Sequence, residues 1–205
     1  YLEIIFITYR ERNTQMNSEK VIEMTAEVTA PAFDVKENHA KVQAVMAEIE
    51  KVIVGKRSEI VLLLTAMLSG SHVLIEDVPG TGKTTTLNAI IRLMENAGLT
   101  IALAAPTGRA AKRMTEVTGY ESKTIHRLLE VEWDESHRPY FSRNERNTLD
   151  CHVLIVDEMS MVDSVMFESL LRAVPFGCRL VLVGDSNQLP SVGAGNVLHD
   201  LIDSK

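Results

Sequence analysis

Cysteine, positive charge and long apolar runs are all scarce in this chain, and each scarcity removes a class of protein. The two cysteines, Cys151 and Cys178, lie far apart in sequence and form no CxxC pair. That argues against a zinc site or a disulfide and for reduced thiols in the core of a cytoplasmic protein. Lys and Arg number 21 against 28 Asp and Glu, leaving a net charge of −7. Such a balance excludes a generic DNA-coating protein, although a narrow nucleic-acid channel with local positive charge stays open. No apolar run reaches membrane-spanning length, so no membrane partner is expected. The opening YLEIIFITYRER is too short to span, and it lacks a basic n-region and a small-residue cleavage site. Internal repeats and low-complexity segments are missing too. What is present is an ordinary globular composition, 45% hydrophobic and 24% charged over 205 residues, enough for one α/β domain with a core and some extra segments.

Along the chain, residues 1–36 show no sustained period and close with APAFDVK, which predicts a poorly structured N-terminal tail. Met16 is a candidate native start, with residues 1–15 an upstream extension. From Glu37 onward the pattern changes. Val42, Val45, Met46, Ile49, Val52 and Ile53 recur at helical spacing and stop at Gly55, and a second helix is expected over 58–69, ended by Gly70. Strands and helices then alternate. Strands are expected over 72–76, 100–104, 152–156 and 179–183, all continuous apolar runs suited to parallel strands covered on both faces. Helices are expected over 84–97, 108–117, 123–129, 164–174 and 194–202. This is the pattern of an open parallel sheet, whose ligands bind beyond the carboxyl ends of the strands. VEWDESHRPYFS, 131–142, reads as a short hairpin with Trp133, Tyr140 and Phe141 flanking a polar tip.

The chemistry is concentrated at those strand ends. VPGTGKTTT, 78–86, follows an apolar run and opens a helix. A strand, a glycine-rich turn and a helix start make a phosphate cradle, with backbone N–H groups aimed at phosphate oxygens and the helix dipole behind them. Pro79, Gly80, Thr81, Gly82, Lys83, Thr84 and Thr85 form it. Lys83 would reach the β- and γ-phosphates of ATP, and the Thr84 hydroxyl would sit on Mg²⁺. Asp77 stands where the G-x-x-x-x-G-K-S/T pattern has its first glycine. LIVDE, 154–158, ends a buried strand in two carboxylates. Asp157 can hold Mg²⁺, and Glu158 can polarise an attacking water; the bland alternative is a solvated strand terminus. LVGDSNQLPSVGAG, 182–195, places Gln188 just past another strand end, where an amide could contact the γ-phosphate or simply belong to a polar loop. APTGRAAKRM, 105–114, crowds Arg109, Lys112 and Arg113 at a helix start beside Thr107. That arrangement suits nucleic-acid phosphates, or is a solvated basic face. Downstream, His126 is a candidate stacking or phosphate contact, and equally a structural histidine.

Two family resemblances accompany these residues. From Gly80 to the C-terminus the chain resembles the first motor domain of a RecD-like superfamily 1 DNA helicase, the family of the exodeoxyribonuclease V alpha subunit. The matching stretches are GTGKTTT at 80–86, APTGRAAKRM at 105–114, TIHRLL at 124–129, VDEMSMVD at 156–163 and LVGDSNQLPSVGAGNVL at 182–198. The resemblance implies a three-layer, RecA-like P-loop NTPase with a mainly parallel sheet, preceded here by two helices and the tail. It implies Lys83 and Thr84 on the triphosphate and Mg²⁺, and Asp157 and Glu158 as the second ATPase motif. Gln188 would couple γ-phosphate to DNA. Pro106, Thr107 and His126 would lie along single-stranded DNA, and the hairpin falls where the family carries a strand-splitting pin. A second motor lobe or helicase–nuclease subunits would be partners.

From about Met16 to Thr84 the chain instead resembles a MoxR-type AAA+ ATPase, through VIVGKRSEIVLLLTAMLSGSHVLIEDVPGTGKT at 52–84. By that resemblance Val54 and Gly55 lie beside the adenine; Lys56 departs from the glutamine usual there. A switch at the shared phosphate loop suggests a hybrid. The combined expectation is an ATP-hydrolysing helicase motor domain over 37–205 that stops after the third helicase motif. Binding, weak hydrolysis and no unwinding by 1–205 alone follow from it. The alternatives are a MoxR-type chaperone ATPase and a non-catalytic nucleotide-dependent interaction module.

Overall fold

Each apolar run between the glycine-rich turns becomes a strand buried on both faces, and together they make one sheet. The computed structural model describes residues 3–7, 43, 46–47, 57–68, 71–76, 83–134, 136–189 and 191–204. The strands are β1 (Glu3–Ile7), β2 (His72–Glu76), β3 (Ile101–Ala105), β4 (Ser122–Thr124), β7 (Val153–Val156) and β8 (Arg179–Gly184). A separate two-stranded hairpin joins β5 (Val131–Trp133) to β6 (Pro139–Phe141), with Val131 opposite Phe141 and Trp133 opposite Pro139. The helices are α1 (Arg57–Leu68), α2 (Lys83–Asn96), α3 (Gly108–Thr118), α4 (Ile125–Leu128), α5 (Ser164–Ala173) and α6 (Val197–Asp203).

The sheet order is β1-β2-β8-β7-β3-β4, parallel throughout except for β1, which runs antiparallel to β2. The chain leaves β2, passes two positions to β3, steps out to β4, and returns through β7 to β8 beside its starting point. Right-handed crossovers therefore put the outward helices on one face and the returning ones on the other. The core confirms it. On one face Val73, Ile75, Val153, Ile155, Val181 and Val183 pack with Leu63 of α1, Ile90 and Met94 of α2, and Met114 of α3. On the other, Leu74, Leu154, Val156 and Leu182 pack with Ile125 of α4, Leu170 of α5 and Leu198 of α6. Successive strand residues point to opposite faces, so an unbroken apolar run serves two helix layers at once. The expected three-layer α/β architecture is the one found.

Three local expectations change. Within the stretch read as a poorly structured tail, Glu3–Ile7 is a strand, registered from Glu3 opposite Glu76 to Ile7 opposite His72. It occupies the outer edge of β2, a pairing that no local signal announces. The helix expected over 123–129 is shorter, because Ser122–Thr124 pairs in parallel with Leu103–Ala105. Pairing along an open edge overrides the local pattern there. Thr124 then caps α4, its hydroxyl accepting from the Arg127 N–H at 3.2 Å. The last helix starts at Val197 rather than 194, since Gly195 adopts φ +85° and Asn196 supplies the cap. Most of the helix expected over 42–53 lies outside the described residues; Gln43, Met46 and Ala47 within it are helical.

His72, at the start of β2, accepts a hydrogen bond at Nδ1 from the Leu180 N–H at 3.0 Å. Burial holds its pKa below the ordinary imidazole value of 6.5. The unfolded chain therefore takes up a proton that the folded one resists, and stability falls as pH drops from about 6.5 toward the folded pKa. Thermal unfolding between pH 7.5 and pH 5.5 should show a decline in Tm. It should be shallower in His72→Asn, whose uncharged carbonyl can accept the same bond.

Candidate functional site

The carboxyl ends of the parallel strands all open on one edge of the sheet. There β2 ends at Glu76 and α2 begins at Lys83, so the glycine-rich turn spans the gap between them. Helices after β2 and after β8 go to opposite faces, which makes the gap between these neighbouring strands a topological switch point, the place where such sheets hold ligands. Pro79, Gly80, Thr81 and Gly82 lie outside the described residues, as do Asp77, Val54 and Gly55. For Lys83, Thr84 and Thr85 the backbone is described: they form the first turn of α2, whose leading N–H groups have no partner within the helix.

Asp157 follows the last residue of β7, its N–H donating to the Ala104 carbonyl at 3.0 Å. Its Oδ1 accepts from the Glu158 N–H at 2.8 Å. Glu158 takes φ +56° and ψ +44°, a left-handed conformation that side-chain-bearing residues rarely hold. The turn takes Glu158 out of the strand alternation that would have sent its side chain to the face opposite Asp157. Strain of this kind is worth about 1–3 kcal/mol and clusters at functional sites. The short 3₁₀ turn Met159–Met161 follows.

Because β8 lies between β2 and β7, the segment after β8 emerges between the carboxyl end of β2 and the acidic pair. Asp185 is buried there, and its Oδ1 accepts from the Asn187 N–H at 2.9 Å, tightening the turn that carries Gln188. Gln188 Oε1 accepts from the Ser160 hydroxyl at 3.3 Å. The Ser186 hydroxyl donates to Glu76 at the end of β2. One loop thus touches both neighbours, the strand before the glycine-rich turn and the turn after the acidic pair. Ser160, Ser186 and Glu76 escaped the sequence reading because each acquires its partner only through strand order. The one available signal was their position within or beside the two motif stretches.

The loop is seated further along on α5. Asp163 caps that helix, accepting from the Met166 N–H at 2.8 Å, and the Ala194 carbonyl accepts from both the backbone N–H (3.0 Å) and the hydroxyl (2.8 Å) of Ser164. A Cβ built on Gly193 would stand 2.2 Å from Asp163 Oδ2 and 2.6 Å from its Cβ. Gly193→Ala should therefore push the loop off the helix start, with an expected loss of about 1–3 kcal/mol by chemical denaturation, the usual cost of overpacking.

The four candidate nucleic-acid residues gather over β3 and β4, on the same edge. Pro106 and Thr107 follow β3, Arg109 is exposed on the first turn of α3, and His126 is exposed on α4. Thr107 has a structural duty as well, capping α3 by accepting from the Ala110 N–H at 3.2 Å. Its hydroxyl proton stays available to donate. The His126 ring stands 6.0 Å from that of Phe141, centroid to centroid, tilted by 58°. The hairpin projects nearby in sequence, with Trp133 67% and Tyr140 47% exposed. Among the described residues, no group of three or more metal-ligating side chains occurs, and no helix is long and apolar enough to cross a membrane.

A parallel sheet in which a helix starts at Lys83 after β2, β7 ends at an acidic pair and the loop after β8 emerges between those two strands has the frame of a P-loop NTPase domain. The chain belongs to the AAA domain family, whose model matches residues 58–194. Over part of their length, several RecD-type helicase proteins are similar to it. The ATP-dependent RecD2 DNA helicase of Deinococcus radiodurans is 43% identical over 142 residues, covering 69% of this chain and 19% of that protein. The RecBCD enzyme subunit RecD of Mycolicibacterium smegmatis is 45% identical over 148 residues, covering 61% of this chain and 26% of the relative. The RecD subunit of Haemophilus influenzae is 34% identical over 194 residues, covering 83% of this chain and 29% of the relative. The chain thus spans less than a third of each of these relatives. The last match takes in more than the residues after the phosphate loop, and the family model begins at 58. RecD likeness therefore extends upstream of the loop, where the sequence reading placed a switch, and these findings lend the MoxR-type alternative no support.

Proposed function

We propose that residues 37–205 form the ATP-binding and ATP-hydrolysing first motor domain of a 5′-to-3′ DNA helicase. The observation that carries the reading is the placement of β8 between β2 and β7, which sets the Gln188 loop in contact with the end of β2 and with the turn after the acidic pair. Lys83 would hold the β- and γ-phosphates of ATP, with backbone N–H groups of Pro79–Thr85 around them. The residues present suit a magnesium ion, since a hydroxyl and a carboxylate are the hard oxygen donors it prefers. Thr84 and Asp157 would hold Mg²⁺, which supplies charge neutralisation at the phosphates. Glu158, whose left-handed backbone takes it out of the strand's alternation, would accept the proton of the attacking water.

Gln188 is the coupling residue in this scheme. It would sense the γ-phosphate at one end, while the loop bearing it is tied to the β2 terminus and to α5. Single-stranded DNA would run over β3 and β4 along Pro106, Thr107, Arg109 and His126, on phosphate and base contacts of the kind single strands favour. Overall negative charge is no obstacle, because these residues form a local track. A second motor lobe, or helicase–nuclease subunits, would close over the nucleotide, and the exposed hairpin would meet the duplex. A DNA-acting ATPase of this kind would work in the cytoplasm.

The test is steady-state ATPase with and without single-stranded DNA, on the unmodified chain and on Lys83→Ala. Stimulation by DNA that vanishes in the variant supports the reading. Stimulation by a protein partner with none by DNA would overturn it.

A further inference from the structure

Cys151 and Cys178, distant in sequence, meet at the opposite end of the sheet from the strand ends just described. Each lies just before a strand, Cys151 ahead of β7 and Cys178 ahead of β8, and these strands are neighbours with Val153 opposite Arg179. Their sulfurs stand 3.9 Å apart in the core. Cys151 also lines a cleft of about 370 Å³ beside β3, walled by Leu149, Lys123 and Arg143, whereas Cys178 does not reach it. Both cysteines are buried, but only Cys151 lies on the wall of the cleft.

We infer that Cys151 and Cys178 form an oxidative modification site, in which a low-molecular-weight disulfide entering the cleft converts the two thiols to an intramolecular disulfide. The attacking role falls to Cys151. A hydrogen bond from the Cys178 thiol holds Cys151 below the ordinary thiol pKa, while the same bond and burial push Cys178 up. Cys151, having lost its proton to solvent, attacks one sulfur of the reagent, forming a mixed disulfide and expelling one thiolate. Cys178 then gives up its proton and displaces the second thiolate from the Cys151 sulfur. Two protein S–H bonds are replaced by one S–S bond, and the reagent, reduced by two electrons, leaves as two thiols. The sulfurs must close to about 2.05 Å, a movement that side-chain rotation at two adjacent strand ends can supply. The closed loop, 151–178, holds β7, Asp157, Glu158 and α5, so the bond would staple the acidic-pair segment to the sheet.

The experiment incubates the folded chain with excess glutathione disulfide, quenches in acid, and reads intact mass and a non-reduced peptide map. The expected result is a loss of about 2 Da with a peptide cross-linked between 151 and 178. Cys178→Ser should stop at the mixed disulfide, a gain of about 305 Da on Cys151, and Cys151→Ser should stay unmodified because Cys178 does not reach the cleft. If the unmodified chain keeps two alkylatable thiols, or forms only disulfides between molecules, the inference is overturned. Modification of Cys178 in Cys151→Ser at the rate seen for Cys151 would overturn the assigned order of attack. The result for the unmodified chain stands alone should either variant fold poorly, and none of these readouts depends on nucleotide or DNA binding.

Discussion

Lys83→Ala should reduce ATP turnover by about 10²-fold or more and weaken nucleotide binding in parallel. A positioned cation acting on transferring phosphoryl groups contributes on that scale. Lys83 opens α2 directly after the glycine-rich turn, so its backbone stands at the helix start while its charge adds to the helix dipole. Alanine keeps the helix, having the highest propensity of any residue, and removes only the charge and its reach. A fluorescent nucleotide titration beside the ATPase assay separates the two effects. Unchanged affinity and turnover would remove Lys83 from the site and the phosphate-cradle reading with it.

Glu158→Gln has a different signature. Turnover should drop by about 10²–10⁴-fold, the range of a general acid–base group, while nucleotide affinity stays close to that of the unmodified chain. Glutamine is nearly isosteric and keeps the backbone N–H that donates to Asp157 Oδ1, so the turn at φ +56° has no new cause to unwind. Its amide cannot take a proton from water. Single-turnover hydrolysis with bound ATP is the deciding measurement. Equal loss of binding and turnover would mean that Glu158 supports the turn rather than the chemistry. Unchanged turnover would move the base elsewhere.

The legible parts of this protein are those written locally. Val73–Ile75, Val153–Val156 and Leu180–Val183 read as doubly covered strands because unbroken apolar runs have no other economical use, and they are buried throughout. The acidic pair and the glycine-rich turn read as chemistry because glycine, lysine and threonine at that spacing after a strand have a mechanical purpose. Thr107 shows the limit of such reading: a threonine before a helix is a cap before it is anything else, and here it is one. β1 and β4 went unread because a short edge strand owes its existence to the neighbour it pairs with.

Composition, periodicity and motif spacing alone decided the α/β class and the parallel sheet and located the glycine-rich and acidic stretches, because each depends on residues within one strand–turn–helix unit. Strand order is a different kind of fact. That β8 enters between β2 and β7 depends on how a whole chain of crossovers closes, and no window of sequence contains it. From that order alone come the contact of Ser160 with Gln188, the tie between Glu76 and Ser186, and the meeting of Cys151 with Cys178. Tertiary structure decided these because they join segments that only the folded sheet brings together.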